Sequence, residues 1–347
     1  MRAERIIVSR TDHIGDVVLT FPMVGMLRRK YPSSQIVFLG RSYTQAVIEA
    51  CDHVDEFLAW DAAAEEGKKA KAELLEAQRA DVIIHVYPEV EIAAAARRAQ
   101  IPNRIGTSHR VYHLWTCNRR VDFTRRKSEL HEAQLNMKLL RPLGIESIPT
   151  LSEIPELYGL AKLEPPPAEL AALLSRDKFN VVIHPMTAGN AKAWSLDNYT
   201  RLIQDLPEEK YQFFVTGVED DRGSIERGMP LRAKNVTSLV GRTSLTDLLG
   251  FISAADAIVC ASTGPLHVAA ALGKCAIGFY QPRGIGRPGR YGPVGKNAHS
   301  LVYDANCEKC LNNEECDCLQ DIPVSAIRDI LEPQADAKVH AQRNSEG

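Results

Sequence analysis

Apolar runs of strand length alternate with helically periodic segments along the chain, in two successive series. RIIVS (5–9) predicts a strand, and Val17, Val18, Phe21, Val24 and Leu27 then recur at helical spacing from about Asp16 to Lys30. QIVFLG (35–40) predicts a second strand, followed by a helix over roughly 42–51. DVIIHV (81–86) leads into an alanine-rich helix ending near Arg98, and NRIGT (103–107) adds a short strand. A helix from about Glu129 to Leu143 stops near Gly144. This alternation predicts a parallel sheet covered on both faces.

Prolines and turns interrupt the pattern between Ile148 and Pro167, which marks a domain boundary. The second series runs NVVIHPM (180–186), a helix from Ser195 to about Leu206, YQFFVTG (211–217), a helix near 219–228, VTSLVG (236–241), a helix from Ser244 to Ala254, AIVCAST (257–263), a helix from Pro265 to Leu272, and CAIGFY (275–280). The polar tail after about Glu332 is expected to fray. The expected division is 1–160, 161–320 and a C-terminal segment 321–347. A chain of 347 residues is long enough for two cores. Two doubly wound α/β domains would face a cleft, with ligands at the carboxyl ends of their strands.

Charge excludes some partners. The formal net charge is −2, so nothing global supports nucleic-acid binding. No apolar run approaches the roughly 18 residues that span a bilayer. Asp12, His13 and Asp16 interrupt the place where a signal peptide would carry its apolar core. The expectation is a cytoplasmic protein without a transmembrane segment.

Eight cysteines divide into two groups. Cys51, Cys117, Cys260 and Cys275 lie singly among apolar residues and read as small buried hydrophobes. Cys307, Cys310, Cys316 and Cys318 form a C-x₂-C-x₅-C-x-C cluster. In a reducing compartment this favours a metal knuckle or free thiols over disulfides. Four thiolates would suit a structural Zn ion, with Fe as competitor and no part in catalysis.

Four loops that follow predicted strands carry polar residues. In RTDHIGD (10–16), Asp12 reads as a helix cap and Asp16 as a dipole partner, or both as site residues. The loop from His184 to Ser195 offers Thr187, backbone amides and Lys192 to a phosphate, although it lacks the Walker spacing. Its plainer reading is a solvated lysine beside a core Trp194. Ala261 to His267 runs through Ser262, Thr263 and Gly264 into Pro265 at the first helical turn, a good amide-built anion site. His267 there could point to the core or to a ligand. In the fourth loop, after YQFFVTG, Asp220 and Asp221 suit either ribose hydroxyls or a helix cap.

Taken together these residues resemble a family. Gly15-Asp16-Val17-Val18-Leu19-Thr20 with Pro22, Leu27-Arg28-Arg29-Lys30-Tyr31-Pro32, Arg104-Ile105-Gly106 and the segment HEAQLNMKLLRPLGI carry the resemblance in the first series. In the second it rests on His184-Pro185, Lys192-Ala193-Trp194, TGPLHVAAALG (263–273) and Arg290-Tyr291-Gly292-Pro293. The chain is similar, over about residues 5 to 332, to the bacterial lipopolysaccharide heptosyltransferases of glycosyltransferase family 9.

The resemblance implies a GT-B fold of two Rossmann-like doubly wound domains, the acceptor on the first and ADP-heptose on the second. It implies inversion at the anomeric carbon, no cofactor or metal in catalysis, and a C-terminal helix that crosses back to the first domain. It places the general base at Asp16 and a phosphate-binding lysine at Lys192. Donor contacts fall on Thr187, Ser262, Thr263, Gly264 and His267, with Asp220 or Asp221 for the ribose. Many relatives have aspartate where this chain has Ser262, which touches the identity of the donor sugar more than the reaction class.

The implied acceptor is an anionic lipopolysaccharide inner-core glycolipid of the Kdo–lipid A type, met peripherally at the inner membrane. From Arg97 to Lys127 there are nine Arg and Lys residues against the single acid Asp122, a stretch that suits such a ligand or is merely a solvated face. Asp12, His13, Arg104, Arg110, Arg119 and Arg120 are the expected acceptor contacts, with Tyr112 and Trp115 meeting the interface. Readings that remain open are a relative using another nucleotide sugar or a protein acceptor, and a nucleotide-binding scaffold without turnover.

Overall fold

In the computed structural model the chain divides into two units, Met1–Lys162 and Leu163–Gly347. The structure describes residues 3–63, 67–125, 128–187, 192–284, 286–312 and 314–346. Arg126 and Lys127 of the basic stretch, and 188–191 of the lysine loop, lie outside them.

The first unit is built on six parallel strands: β1 (Arg5–Ser9), β2 (Gln35–Gly40), β3 (Glu56–Ala59), β4 (Val82–His85), β5 (Asn103–Thr107) and β6 (Arg119–Val121). Their order is β3-β2-β1-β4-β5-β6. The chain thus reverses its winding between β1 and β4, where Ser9 pairs with His85. The central strands are apolar on both faces because helices cover both, and Ile6, Ile7, Val8, Ile83 and Ile84 are fully buried.

The second unit repeats this plan with β7 (Phe179–His184), β8 (Tyr211–Val215), β9 (Val236–Ser238), β10 (Ala257–Ala261), β11 (Cys275–Phe279) and β12 (Ala298–Leu301). The order β12-β11-β10-β7-β8-β9 is the same winding, with its switch between β7 and β10. In such sheets, ligands sit beyond the carboxyl ends of the strands that flank the switch.

Local chemistry sets the helix ends. The predicted helix from Asp16 to Lys30 is two helices, Ile14–Val18 and Phe21–Lys30. Pro22 has no N–H for the Val18 carbonyl, so the ladder breaks there and Thr20 bonds Val17 one residue short. The segment near 143 ends as predicted, with Gly144 left-handed at φ 76°. Ser195 caps the helix Leu196–Asp205, its hydroxyl accepting from the Asn198 N–H at 3.1 Å.

The C-terminal segment differs from expectation. It does not fray after Glu332 but continues as one helix, Val324–Glu346. Ile327, Leu331 and Ala335 are fully buried in the core of the second unit, so its apolar face serves that unit. Beyond Glu332 the helix is held by Lys210–Asp336 and Lys338–Asp256 pairs, both at 2.6 Å.

Candidate functional site

Arg10 leaves β1 directly into the switch point of the first sheet, and its side chain organises the loop. The guanidinium is 3% exposed. It donates through Nε and Nη2 to both oxygens of Asp12, at 2.6 and 2.9 Å. Nη2 also reaches Asp16 Oδ1 at 2.6 Å, and Nη1 reaches Glu132 Oε1 at 3.2 Å. Arg125 donates to the same Glu132 oxygen at 2.7 Å and bonds Asn136 Oδ1 at 3.0 Å. Asn136 in turn donates to the Leu19 carbonyl behind the helix that carries Asp16. The Thr11 hydroxyl donates to Glu89 at 2.6 Å and ties the loop after β1 to the loop after β4.

Three carboxylates share two guanidiniums, and the imbalance falls on Asp16. Burial raises its pKa to about 6, with Asp12 and Glu132 adding to the rise while Arg10 opposes it. A carboxylate that titrates near neutrality, partly open to solvent and fixed by a buried arginine, is equipped to accept a proton. His85, which ends β4 at the same switch, is a buried neutral imidazole whose pKa burial pushes down to about 3.

Several expectations change here. Asp12 is not the helix cap: His13 holds that position, exposed and without a side-chain cap bond, while Asp12 is committed to Arg10. Arg10, Glu132 and Asn136 are functional residues to which the sequence pattern assigned no role. The signal for Glu132 and Asn136 was two polar residues four apart in HEAQLNMKLL, between positions that are buried.

The basic stretch is not one continuous face. Arg104 donates to the carbonyls of Ile101 and Thr116, and Arg125 belongs to the buried network. Arg120 donates to the Leu114 and Cys117 carbonyls while remaining exposed, and Arg110 and Arg119 are exposed too. Beside them Val111, Leu114 and Trp115 are 70%, 55% and 56% exposed. Tyr112 instead leans edge-on against buried His113. A separate concavity of about 720 Å³, lined by Arg5, Tyr31, Gln35 and Asp81 among others, opens at the amino ends of β1 and β2, the wrong edge for a parallel-sheet ligand.

In the second unit, Trp194 is the core residue its plainer reading gave: it stacks on Phe279 at 4.5 Å and meets Tyr199 edge-on. Two residues before it, Lys192 Nζ donates to the Cys316 carbonyl at 2.7 Å and lies 3.6 Å from Asp317. Thr187 ends the described part of that loop on its N-terminal side and is half-buried. At the other side of the switch, Thr263 occupies the N-cap of the helix Gly264–Ala271 with no side-chain cap bond. His267 is buried. Ser262, in place of the expected aspartate, hydrogen-bonds the Tyr280 hydroxyl, which also donates to the Tyr291 carbonyl at 2.9 Å.

The acidic pair resolves into unequal members. Asp220 is exposed, whereas Asp221 packs toward Gly217 at the end of β8 and faces His184. Burial holds His184 neutral with a pKa near 4, and its Nδ1 meets the Thr216 hydroxyl at 3.0 Å. The four clustered cysteines bring their sulfurs within 4.8 Å of one another.

Known proteins share this architecture. The family description "Glycosyltransferase family 9 (heptosyltransferase)" matches residues 69–318. Lipopolysaccharide heptosyltransferase 3 of Escherichia coli (strain K12) is 25% identical over 284 residues, covering 77% of this chain and 79% of its own. The structure of E. coli ADP-heptose lipopolysaccharide heptosyltransferase II superposes with a TM-score of 0.73 at 19% identity, covering 98% and 99% of the two chains. The E. coli heptosyltransferase WaaC with ADP gives 0.72 at 20% identity, covering 95% and 99%. The two parallel six-stranded sheets are those of the GT-B fold. With the family matched over most of its length, the chain is a glycosyltransferase and belongs to family 9, the heptosyltransferases.

Proposed function

We propose that this enzyme transfers heptose from ADP-heptose to an anionic lipopolysaccharide inner-core acceptor of the Kdo–lipid A type, inverting the anomeric carbon, with Asp16 as general base. The relatives named for lipopolysaccharide and ADP-heptose support the substrate classes. The observation that carries the mechanism is the Asp16 carboxylate, held by Arg10 at the sheet switch and titrating near 6.

A sugar hydroxyl is a weak nucleophile at neutral pH. Asp16 takes its proton as the new C–O bond forms, a contribution of ~10²–10⁴-fold for a well-placed base. The anomeric carbon gains oxocarbenium character while negative charge grows on the departing diphosphate. In the second unit, Lys192 and the amides at Thr263-Gly264 meet that charge, Thr187, Asp221 or Asp220 and His267 complete the donor site, and Ser262 stands near the sugar. Asp12 positions Arg10, and His13 is exposed beside the acceptor.

The exposed Val111, Leu114 and Trp115, flanked by Arg110, Arg119 and Arg120, form a patch suited to the surface of an anionic bilayer. Among the described residues no helix is long and apolar enough to cross a membrane, so contact on this reading is peripheral. Trp115→Ala should weaken sedimentation with anionic vesicles without changing ADP affinity.

A donor and acceptor screen read by mass spectrometry tests the function. ADP-heptose should support transfer to a Kdo-bearing acceptor; transfer from UDP-sugars alone would overturn the donor assignment. ADP binding with no transfer to any acceptor would favour a scaffold.

A further inference from the structure

The segment from Tyr303 to Cys318 has almost nothing to fold around. Its two large apolar residues, Tyr303 and Leu311, are 55% and 39% exposed, yet Cys310, Cys316 and Cys318 are buried against one another with Cys307 beside them. All four are free cysteines. The Cys307–Cys316 and Cys310–Cys318 sulfurs are 3.5 and 3.6 Å apart, far beyond an S–S bond of about 2.05 Å. Thiolates bound at about 2.3 Å around a tetrahedral ion lie about 3.8 Å from each other, close to the observed spacing. The Cys318 N–H points at Cys316 Sγ at 3.3 Å, the kind of backbone bond that supports a ligand sulfur.

This knuckle is also the floor under Lys192. Lys192 Nζ and Gln281 Nε2 both donate to the Cys316 carbonyl at 2.7 Å, and Gln281 lies 3.8 Å from Cys310 Sγ. Immediately after Cys318, Gln320 accepts from the Ser195 N–H at 2.8 Å and donates to the Ala193 carbonyl at 2.9 Å. Its own carbonyl accepts from the Asn198 side-chain Nδ2 at 2.9 Å. The cysteine turn therefore grips the chain on both sides of Trp194.

We propose that Cys307, Cys310, Cys316 and Cys318 hold one tetrahedral thiolate-bound metal ion, zinc or iron, and that this ion fixes the backbone on which Lys192 and the 193–198 segment rest. The role is positioning. The ion touches neither donor nor acceptor, and only its link to donor affinity depends on the function proposed above. A metal that closes a segment without a hydrophobic core supplies folding free energy to it directly.

Elemental analysis of the full chain, purified under reducing conditions, should give about one zinc or iron per chain, the identity deciding between them. Cobalt exchange should give the absorption of a tetrahedral thiolate centre. Hydrogen exchange should show the Ser195 amide, which donates to Gln320, losing protection when a chelator removes the ion and regaining it on reloading. ADP affinity should fall about tenfold on chelation, and Lys192→Met should give a similar loss to which chelation adds little. No stoichiometric metal, either as purified or after reconstitution with zinc or ferrous iron, overturns the site. Unchanged amide exchange on metal loss overturns the positioning role. If the metal-loaded chain binds no ADP, the donor reading fails while stoichiometry, spectrum and exchange still judge the ion. Cys310→Ser should abolish metal binding, and the chelation experiment on the unaltered chain stands if that variant does not fold.

Discussion

The loops that carry Asp16 and Lys192 follow the first strand of equivalent parallel sheets, yet they are held by opposite means. The Asp16 loop is fixed by charge: Arg10 spans Asp12, Asp16 and, from 122 residues away, Glu132. The Lys192 loop is fixed mainly by neutral acceptors, with its ammonium on a backbone carbonyl 124 residues distant, only the exposed Asp317 carboxylate nearby, and its neighbours tied to an amide side chain. The difference teaches what each loop can do. A network with more carboxylate than guanidinium keeps one proton loosely held, which suits a base. A lysine bonded to a carbonyl keeps its full charge and its remaining N–H donors, which suits a phosphate.

The sharpest break of this comparison is Asp16→Asn. It should reduce turnover by ~10³-fold or more while ADP affinity stays unchanged, because the base alone is lost. Equal losses in both quantities would mean that Asp16 shapes the fold and not the chemistry. The same variant tests the charge imbalance through stability. Folded Asp16 titrates near 6 against 3.8 for an ordinary aspartate. Between those values the folded chain binds the proton more tightly than the unfolded chain, so stability falls as pH rises through this window. At up to ~1.4 kcal/mol per unit the loss is at most about 3 kcal/mol, and Asp16→Asn should remove it. Denaturant melts at pH 4 and pH 8 measure that difference, and the rate profile should rise with pH through an acid limb near 6.

Arg10→Ala comes next. It strands Asp12 and Asp16 without their buried cation and leaves Glu132 to Arg125 alone, a change expected to cost about 3–5 kcal/mol of stability. Arg10 also opposes the rise in the Asp16 pKa, so whatever activity survives should show its acid limb shifted to higher pH. An unchanged limb would separate Arg10 from Asp16.

How the two loops read in the sequence differs for the same physical reason. A strand, a polar turn and a helix are local signals, so β1, β4, β7 and β10 and the loops after them were legible. So was Asp16, as a polar residue where a parallel sheet delivers its ligands. The missed strands β3, β6 and β12 lie at sheet edges. There EFLA, RRV and AHSL are only partly buried and carry no apolar run. The helix Gly67–Ala77 was missed as well, since only Leu75 of it is buried. Arg10 could not be read as the organiser of its loop, because its meaning depends on Glu132 and Asn136 brought from the far side of the unit. Lys192 was legible as a cation but not as a tenant of the cysteine turn, since both partners read alone as surface features.

On the proposed reading, Lys192→Met sharpens the contrast from the other side. A charged hydrogen bond to phosphate contributes about 1.5–3 kcal/mol, so ADP affinity should fall on the order of ten- to a hundredfold in calorimetry. Stability should change far less than in Arg10→Ala, because the Lys192 side chain is 39% exposed. A large melting shift would show that Lys192 is structural, as Arg10 is.

The smallest effect separates the two acids after β8. Asp220 is exposed, and solvent screens what it can offer a ribose; Asp220→Ala should move ADP affinity by threefold or less, under about 1 kcal/mol. Asp221 packs against Gly217 and beside half-buried His184, where a carboxylate has less water to compete with and a fixed direction. Asp221→Asn should therefore weaken ADP more than Asp220→Ala does. The reverse order would move the ribose contact to Asp220, and with it the claim that the second unit, like the first, works through the acid it has partly withdrawn from solvent.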